Sequence, residues 1–174
     1  MTAPPSPVLL SVVAEVEGHL AEAGWDQPPQ LFALVETEAL LAAEPQLAQS
    51  LGLVASRPGH LTPIAQDPLA DGPLDEALAG VVFGPDVLGV VLAHEVLVLP
   101  PSAEAALAES EDPAVIAASH EARREVRMCV GVVRDGTRAC VLRLRGQDGA
   151  ADERVGGADL APALADALLA TLED

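Results

Sequence analysis

The chain is poor in large side chains. Its 174 residues include no tyrosine, one tryptophan and two phenylalanines, so aromatic residues make up only 2% of the sequence. Half of the residues are nevertheless hydrophobic. A chain of this length can bury one substantial core. We expect that core to be built from Leu, Val and Ala around Trp25, Phe32 and Phe83.

Lysine is also absent, because all nine basic residues are arginine, and the 27 acidic residues give a formal net charge of −18. So large an acidic excess repels the phosphates of nucleic acids and of anionic lipid headgroups. We therefore expect neither nucleic acid nor membrane as a partner. The preference for arginine, alongside many Ala, Gly and Pro residues, is typical of a GC-rich genome and does not by itself indicate a function.

Cysteine is scarce as well. Cys129 and Cys140 are the only two, and they do not form a CxxC pair, which is typical of a reduced intracellular protein. No basic segment precedes the short apolar run near the N-terminus, so a secretory signal is not predicted. The most apolar stretch, Val81 to Leu99, is interrupted by proline and charged residues before it reaches the roughly 18 to 20 residues that cross a bilayer. We predict a cytoplasmic protein without a membrane span.

The hydrophobic pattern predicts one domain over residues 1–174, with residues 1–5 as a flexible lead. A helix begins at Ser6-Pro7, since serine is a good N-cap and proline suits the first helical position. Pro63 indicates that its strand lies at a sheet edge. Besides the hairpin described below, strands are predicted around 30–36, 61–66 and 87–99, helical pieces around 102–120 and 159–172, and a mobile loop over 146–157. The order helix, strand, strand, strand, helix, strand, strand, helix predicts an α+β fold, a mainly antiparallel sheet of about five strands with helices packed on it.

The clearest local feature is a β-hairpin over Glu125 to Arg145, folded about Asp135-Gly136. A two-residue loop would place arginines among the apolar side chains of one face. A three-residue loop, with Gly136 in the left-handed conformation, instead pairs Val133 with Thr137 and separates an apolar face from an arginine-rich one. Because burying an unpaired guanidinium group costs several kcal/mol, we predict the second register.

The arginines are concentrated in this hairpin. Seven of the nine lie between residues 123 and 145, where two acidic residues leave a net charge of +5, so the rest of the chain carries −23. The predicted register places arginines opposite each other, which is destabilising unless an anion lies between them, and guanidinium groups bind carboxylate and phosphate well. The candidate residues for binding an anion or an acidic partner are Arg124, Arg127, Arg143 and Arg145. The alternative is that carboxylates of the first helix, such as Glu15, Glu17 or Glu22, neutralise these arginines internally.

No pattern of catalytic or metal-binding residues is present. The four histidines have no metal-binding spacing, and no phosphate-binding glycine motif or nucleophile motif occurs. His94 and Glu95 are adjacent in a predicted strand, so their side chains point to opposite faces. A hydrolase or transferase at His94 would need an open pocket with a carboxylate. Cys129 and Cys140 lie on opposite faces of the hairpin, so we expect no disulfide, and we also expect no catalytic residue, metal or cofactor.

Three segments resemble known proteins: WDQPPQLFALVETEALL, GHLTPIAQDPL and HEARREVRMCVGVVRDGTRACVLRLR. They resemble a small family of actinobacterial proteins that has no assigned activity, and the resemblance extends from Val8 to Leu172. In the order of its elements the chain is also similar to the type III secretion chaperones and their relatives, which are dimeric, acidic, non-catalytic α/β modules. That likeness is one of fold, so it implies an architecture and does not transfer a function.

These observations favour a non-enzymatic protein-binding or chaperone-like module that forms a homodimer through a sheet edge or a helix. The mean hydropathy of +0.32 is high for a soluble monomer and indicates an apolar interface. The alternative is a small-anion or nucleotide-binding domain that uses the arginines of the hairpin.

Overall fold

The computed structural model of the chain describes residues 6–53, 60–70, 72–98, 124–146, 149–157 and 160–173. The helices of these ranges are α1 (Pro7–Glu22), α2 (Thr37–Ala43), α3 (Pro45–Ser50), α4 (Leu74–Ala79) and α5 (Pro162–Ala170). The strands are β1 (Gln30–Glu36), β2 (Leu61–Ala65), β3 (Gly89–Val98), β4 (Arg124–Val133), β5 (Arg138–Leu144) and β6 (Glu153–Gly157). The predicted flexible lead and the predicted helical pieces over 102–120 lie outside the described residues.

The strands form one antiparallel sheet in the order β2-β1-β3-β4-β5-β6. The α+β prediction is confirmed, and Pro63 lies in an edge strand as expected. The sheet has six strands where the sequence predicted about five. The additional strand is β6, which corrects the loop predicted over 146–157. Two of its five residues are glycine, which weakens a strand pattern, and its pairing with β5 is a long-range contact that the local sequence does not reveal.

The hairpin of β4 and β5 has the predicted bulged register. Val132 lies opposite Arg138, and the N–H of Val133 donates to the carbonyl oxygen of Thr137 at 2.9 Å. Gly136 has a φ of +91°, a conformation that glycine adopts without the strain a side chain would bring. Because side chains alternate along a strand, this register also decides which residues of the two strands share a face.

Helices cover both faces of the sheet. On one face α1 packs its stripe of Leu9, Val12, Val13, Val16 and Leu20 against Phe32, Leu34, Val91, Cys129, Ala139 and Val141. On the other face α4 and α5 contribute to a second cluster that includes Leu78, Val90, Leu92, Val130, Val132, Cys140 and Leu168. The two cysteines are free and belong to different clusters, which confirms that they do not pair. The arginine-rich face of the hairpin is therefore also a core face, covered by α1.

The close approach of α1 to the sheet depends on a glycine. A Cβ atom built on Gly131 of β4 would lie 2.5 Å from Cγ2 of Val13 and 3.3 Å from Cδ1 of Leu9. Such separations are shorter than van der Waals contact, so a side chain at this position would push the helix away. The start of α1 is the predicted one, since the hydroxyl of Ser6 accepts a hydrogen bond from the N–H of Leu9 at 3.5 Å.

Candidate functional site

Four charged residues form a row across the sheet on the face that α1 covers. Antiparallel pairing places Glu95 of β3 opposite Arg127 of β4. It also places Arg127 opposite Arg143 of β5, and Arg143 opposite Arg154 of β6. Three arginines on adjacent strands repel one another. The arginine row, which we define as Arg127, Arg143 and Arg154, therefore needs negative charge from a neighbouring element.

Glu17 of α1 supplies that charge. Its side chain is 0% exposed, and its carboxylate accepts hydrogen bonds from Nε and Nη2 of Arg143, the second at 3.0 Å. The same carboxylate lies 3.0 Å from Nε of Arg154 and 3.9 Å from Nη1 of Arg127. The hydrogen bond to Glu17 raises the pKa of Arg143. One helix carboxylate thus contacts the guanidinium groups of three adjacent strands.

Arg127 is the most deeply buried member of the row, with 1% of its surface exposed. Its Nη2 atom donates to the carbonyl oxygen of Gly24 and to Glu95, the latter at 3.3 Å. The guanidinium carbon lies 4.7 Å from the centroid of the Trp25 ring. Nη1 faces Glu17 at 3.9 Å and makes no hydrogen bond to the described residues. The charge of Arg127 is therefore balanced inside the protein by two carboxylates, Glu17 and Glu95.

Trp25 connects the arginine row to the surface. Its ring contacts Arg127 and also Arg145, whose guanidinium carbon is 5.5 Å from the ring centroid. A cation near an aromatic face contributes about 0.5–2 kcal/mol. The indole Nε1 donates to Asp152 at 3.3 Å, and the carboxylate of Asp152 lies 3.8 Å from Nη1 of Arg143. The single tryptophan is thus a direct reporter of this network.

Glu95 fastens the loop that follows α1 to the central strand β3. Its carboxylate accepts the N–H groups of Asp26 at 2.8 Å and Gln27 at 3.0 Å, and Asp26 has a left-handed φ of +66°. The side-chain amide of Gln27 donates to two carbonyl oxygens at the C-terminal end of α1. Hydrogen bonds to a charged acceptor contribute about 1.5–3 kcal/mol each. The carboxylate that pairs with Arg127 therefore also fixes the path of the chain as it leaves α1.

The four arginines named from the sequence divide into two pairs. Arg127 and Arg143 lie under Glu17, so the alternative of internal neutralisation by a helix carboxylate is what the structure shows for these two. The side chain of Arg145 is 42% exposed and bonds an acidic residue of its own hairpin. Arg124 donates from Nη2 to the carbonyl oxygen of Arg145 at 3.5 Å. Binding of an external anion by these arginines stays a prediction.

The sequence does not single out Glu17 among the carboxylates of the first helix, and it gives no sign of Arg154, the third member of the arginine row. Of Glu15, Glu17 and Glu22, only Glu17 lies four residues after Val13 and three before Leu20, inside the apolar stripe of α1. That spacing was a usable signal for a buried carboxylate. Arg154 lies outside the 123–145 window, and its contact depends on the pairing of β6 with β5, for which the sequence gives no clear pattern.

Burial controls the other ionisable groups near the row. It raises the pKa of Cys129 to about 12 and that of Cys140 to about 11, so both thiols remain protonated and unreactive at neutral pH. Burial lowers the pKa of His94, which the nearby Glu95 opposes. Within the part of the chain that the structure describes, no group of three or more His, Cys, Asp and Glu side chains could hold a metal ion. The contacts of Glu17 and Glu95 with the arginine row hold α1 and the loop that follows it on the sheet.

The described helices include none that is long and apolar enough to cross a membrane.

Comparison with known proteins gives one finding at the level of the family. Residues 9–173, almost the whole chain, match the family model described as PPA1309-like protein. No curated protein and no solved structure matches the chain. The comparisons therefore show the family of the chain, and a function has to be inferred from the geometry of the structure.

Proposed function

The chain belongs to the PPA1309-like protein family and, because that description states no activity, we propose a function from the geometry. The protein is a non-catalytic protein-binding module that forms a homodimer along the free edge of β6. One observation carries this proposal: within the described ranges β6 is an exposed edge strand that lacks the proline found in the opposite edge strand.

β6 lies at the end of the sheet and, within the described ranges, pairs on one side only, with β5. Four of its five residues are exposed. The unpaired N–H and C=O groups of an edge strand can pair with a strand of another chain, and proteins commonly block this with proline or other devices. The opposite edge, β2, contains Pro63, which has no N–H to donate. β6 contains no proline.

Apolar side chains accompany this open edge. Val155, in the centre of β6, is 46% exposed, and Leu160, which follows the strand, is 42% exposed. Leu160 lies over the end of β6, since a Cβ atom built on Gly157 would be 3.1 Å from Cγ of Leu160. An added strand would cover apolar surface at the same time as it satisfies backbone hydrogen bonds. The edge therefore offers both contributions to a stable contact.

Symmetry restricts how two copies can pair. A two-fold axis perpendicular to the sheet requires one residue of β6 to face its own copy. With Val155 on the axis, two valines are in contact and Arg154 lies opposite Gly156 of the other copy. With Arg154 on the axis, two guanidinium groups would lie opposite each other, which is destabilising. We therefore propose the register centred on Val155, which continues the sheet from one copy into the next.

We also propose that the dimer binds a further protein, as is expected of a chaperone-like module. We also propose a cytoplasmic location, supported by two cysteines that are free and lie on opposite faces of the sheet.

Light scattering after size exclusion, at roughly tens of micromolar protein, tests the dimer. We expect the wild-type chain of 17.8 kDa to form a dimer. Val155→Lys and Val155→Glu should each be monomeric, because like charges would face each other across the axis. An equimolar mixture of the two variants should recover the dimer, since lysine then faces glutamate.

The matched control is Val82→Lys. Val82 is 71% exposed and lies outside β6, so its substitution should leave the dimer intact. A monomeric wild-type protein would contradict the proposal. So would dimers that persist in both Val155 variants, because the interface would then lie elsewhere.

A further inference from the structure

β6 is attached to the protein differently from the other strands. Each of the other five strands contributes at least one buried residue to the two hydrophobic clusters, and even the opposite edge strand, β2, contributes Leu61. Among the described residues, neither cluster includes a residue of β6. Four of the five residues of β6 are exposed, and two are glycine. Burial of apolar surface is the main favourable contribution to folding, so it adds little to the attachment of this strand.

Polar contacts hold β6 in place instead. Its backbone pairs with β5 along all five residues. Nε of Arg154 lies 3.0 Å from the carboxylate of Glu17, and Nη2 donates to the carbonyl oxygen of Ala14 at 2.9 Å. Within the described ranges, no other side chain of β6 forms an ion pair or a hydrogen bond. Arg154 is therefore the side chain that links β6 to α1.

The rest of the arginine row does not depend on Arg154. If β6 leaves, Glu17 keeps its two hydrogen bonds with Arg143 and its contact with Arg127, and α1 keeps its apolar stripe against the sheet. Arg154 lies opposite Arg143 in the paired strands, and like charges in that position repel each other. The departure of β6 therefore leaves Glu17 paired, and its cost is limited to the contacts of the strand itself.

We propose that β6 is a releasable strand, which separates from β5 while α1 and the other five strands stay folded, and that the contact of Arg154 with Glu17 keeps it attached. Elements with few buried apolar contacts open locally at a fraction of the free energy of global unfolding. Only an attached β6 can form the dimer described above, so its release removes the dimer edge. That consequence rests on the proposed function, whereas the release itself does not.

Native-state hydrogen exchange of the full chain, measured by mass spectrometry, tests the proposal. At roughly 1 µM protein, mass action disfavours a dimer, so the exchange reports on the single chain. We expect protection factors in β6 at least about tenfold lower than in β4, which lies in the middle of the sheet. Arg154→Met removes the charge and keeps an unbranched side chain, so it should lower the protection of β6 about fivefold further. The protection of β4 should stay within about twofold of the wild type.

Two variants of the same strand serve as controls. Arg154→Lys keeps a positive charge that can contact Glu17, so it should lower the protection of β6 less than Arg154→Met does. Glu153→Gln removes a charge from an exposed neighbour, and it should leave the protection of β6 within about twofold of the wild type. If light scattering shows only monomers, the exchange measurement still decides whether β6 is released, so the two proposals can fail separately.

Three results would overturn the proposal. Equal protection of β6 and β4 in the wild type would mean that β6 opens only when the whole protein unfolds. Equal effects of Arg154→Met and Glu153→Gln on β6 would mean that the contact with Glu17 does not hold the strand. A parallel loss of protection in β4 and β6 of Arg154→Met would mean that this contact stabilises the whole domain and does not control one strand.

Discussion

Substitution of Glu17 by glutamine removes the buried negative charge above the arginine row and keeps the size of the side chain. In the wild-type protein this carboxylate is 0% exposed and bonds Arg143 through two atoms. Breaking a buried ion pair costs about 3–5 kcal/mol because the remaining charge is left unpaired. The side chains of Arg143 and Arg154 are 17% and 42% exposed, so water compensates part of the loss for these two. The side chain of Arg127 is only 2% exposed, so water cannot compensate the loss of Glu17 there.

We therefore expect the lower end of that range, a loss of about 3 kcal/mol in the free energy of unfolding. For a chain of this length it corresponds to a decrease of about 6–12 °C in Tm. Urea unfolding followed by the fluorescence of Trp25 is the suitable assay, because this single tryptophan contacts Arg127. The protein concentration must be held constant, since a dimer makes the apparent stability depend on it.

The matched control is Glu15→Gln, two residues earlier on the exposed face of α1. It should change the free energy of unfolding by no more than about 0.5 kcal/mol. Arg143→Gln should be less damaging in the Glu17→Gln background than in the wild type, because the two residues contact each other and their effects are not additive. Equal effects of Glu15→Gln and Glu17→Gln, or full additivity with Arg143→Gln, would refute the role assigned to Glu17.

Two further predictions concern packing and pH. Gly131→Ala should destabilise the protein by about 1–3 kcal/mol, since its Cβ would lie 2.5 Å from a methyl group of Val13. A Cβ atom built on Gly18 would have nothing within 4 Å, so Gly18→Ala should stabilise α1 by up to about 1 kcal/mol. Urea unfolding compares the two variants. Equal effects of Gly18→Ala and Gly131→Ala would contradict the close approach of α1 to the sheet. Burial raises the pKa of Cys140 from 9.0 to about 11 and that of Cys129 from 9.0 to about 12. The free energy of unfolding should therefore fall as the pH rises above 9.0 towards these values. A raised folded-state pKa gives stability that is complete below the unfolded pKa and is lost above it. The double Cys→Ala variant should therefore show a smaller fall in the free energy of unfolding over this pH range. An unchanged fall would exclude the thiols as its cause.

The candidate site could be predicted in part. The paired arginines of the hairpin follow from its register, and the requirement for an anion between them follows from their charge. The identity of that anion needed the position of α1 over the sheet. The helical spacing of Glu17 was a recognisable signal in the sequence. The contribution of Arg154 had no such signal, because the local sequence of β6 predicts a loop and only its pairing with β5 makes it a strand.

The sequence by itself determined the elements whose specification is local. Turn chemistry at Asp135-Gly136 and the separation of charged from apolar side chains decided the hairpin register. Ser6 and Pro7 decided where α1 begins, and Pro63 kept its strand at an edge. In each case the residues that decide the structure are within a few positions of the structure they specify.

Only the tertiary structure decided which helix covers the arginine-rich face, and that a sixth strand, β6, forms one edge of the sheet. These features depend on pairs far apart in the chain, such as Glu17 and Arg143, which are separated by 126 positions. Hydrophobic periodicity shows that a helix has a face to bury and does not show against which strands. The partner of a buried charge is settled when the layers pack, because only then does desolvation make an unpaired arginine too unfavourable to keep.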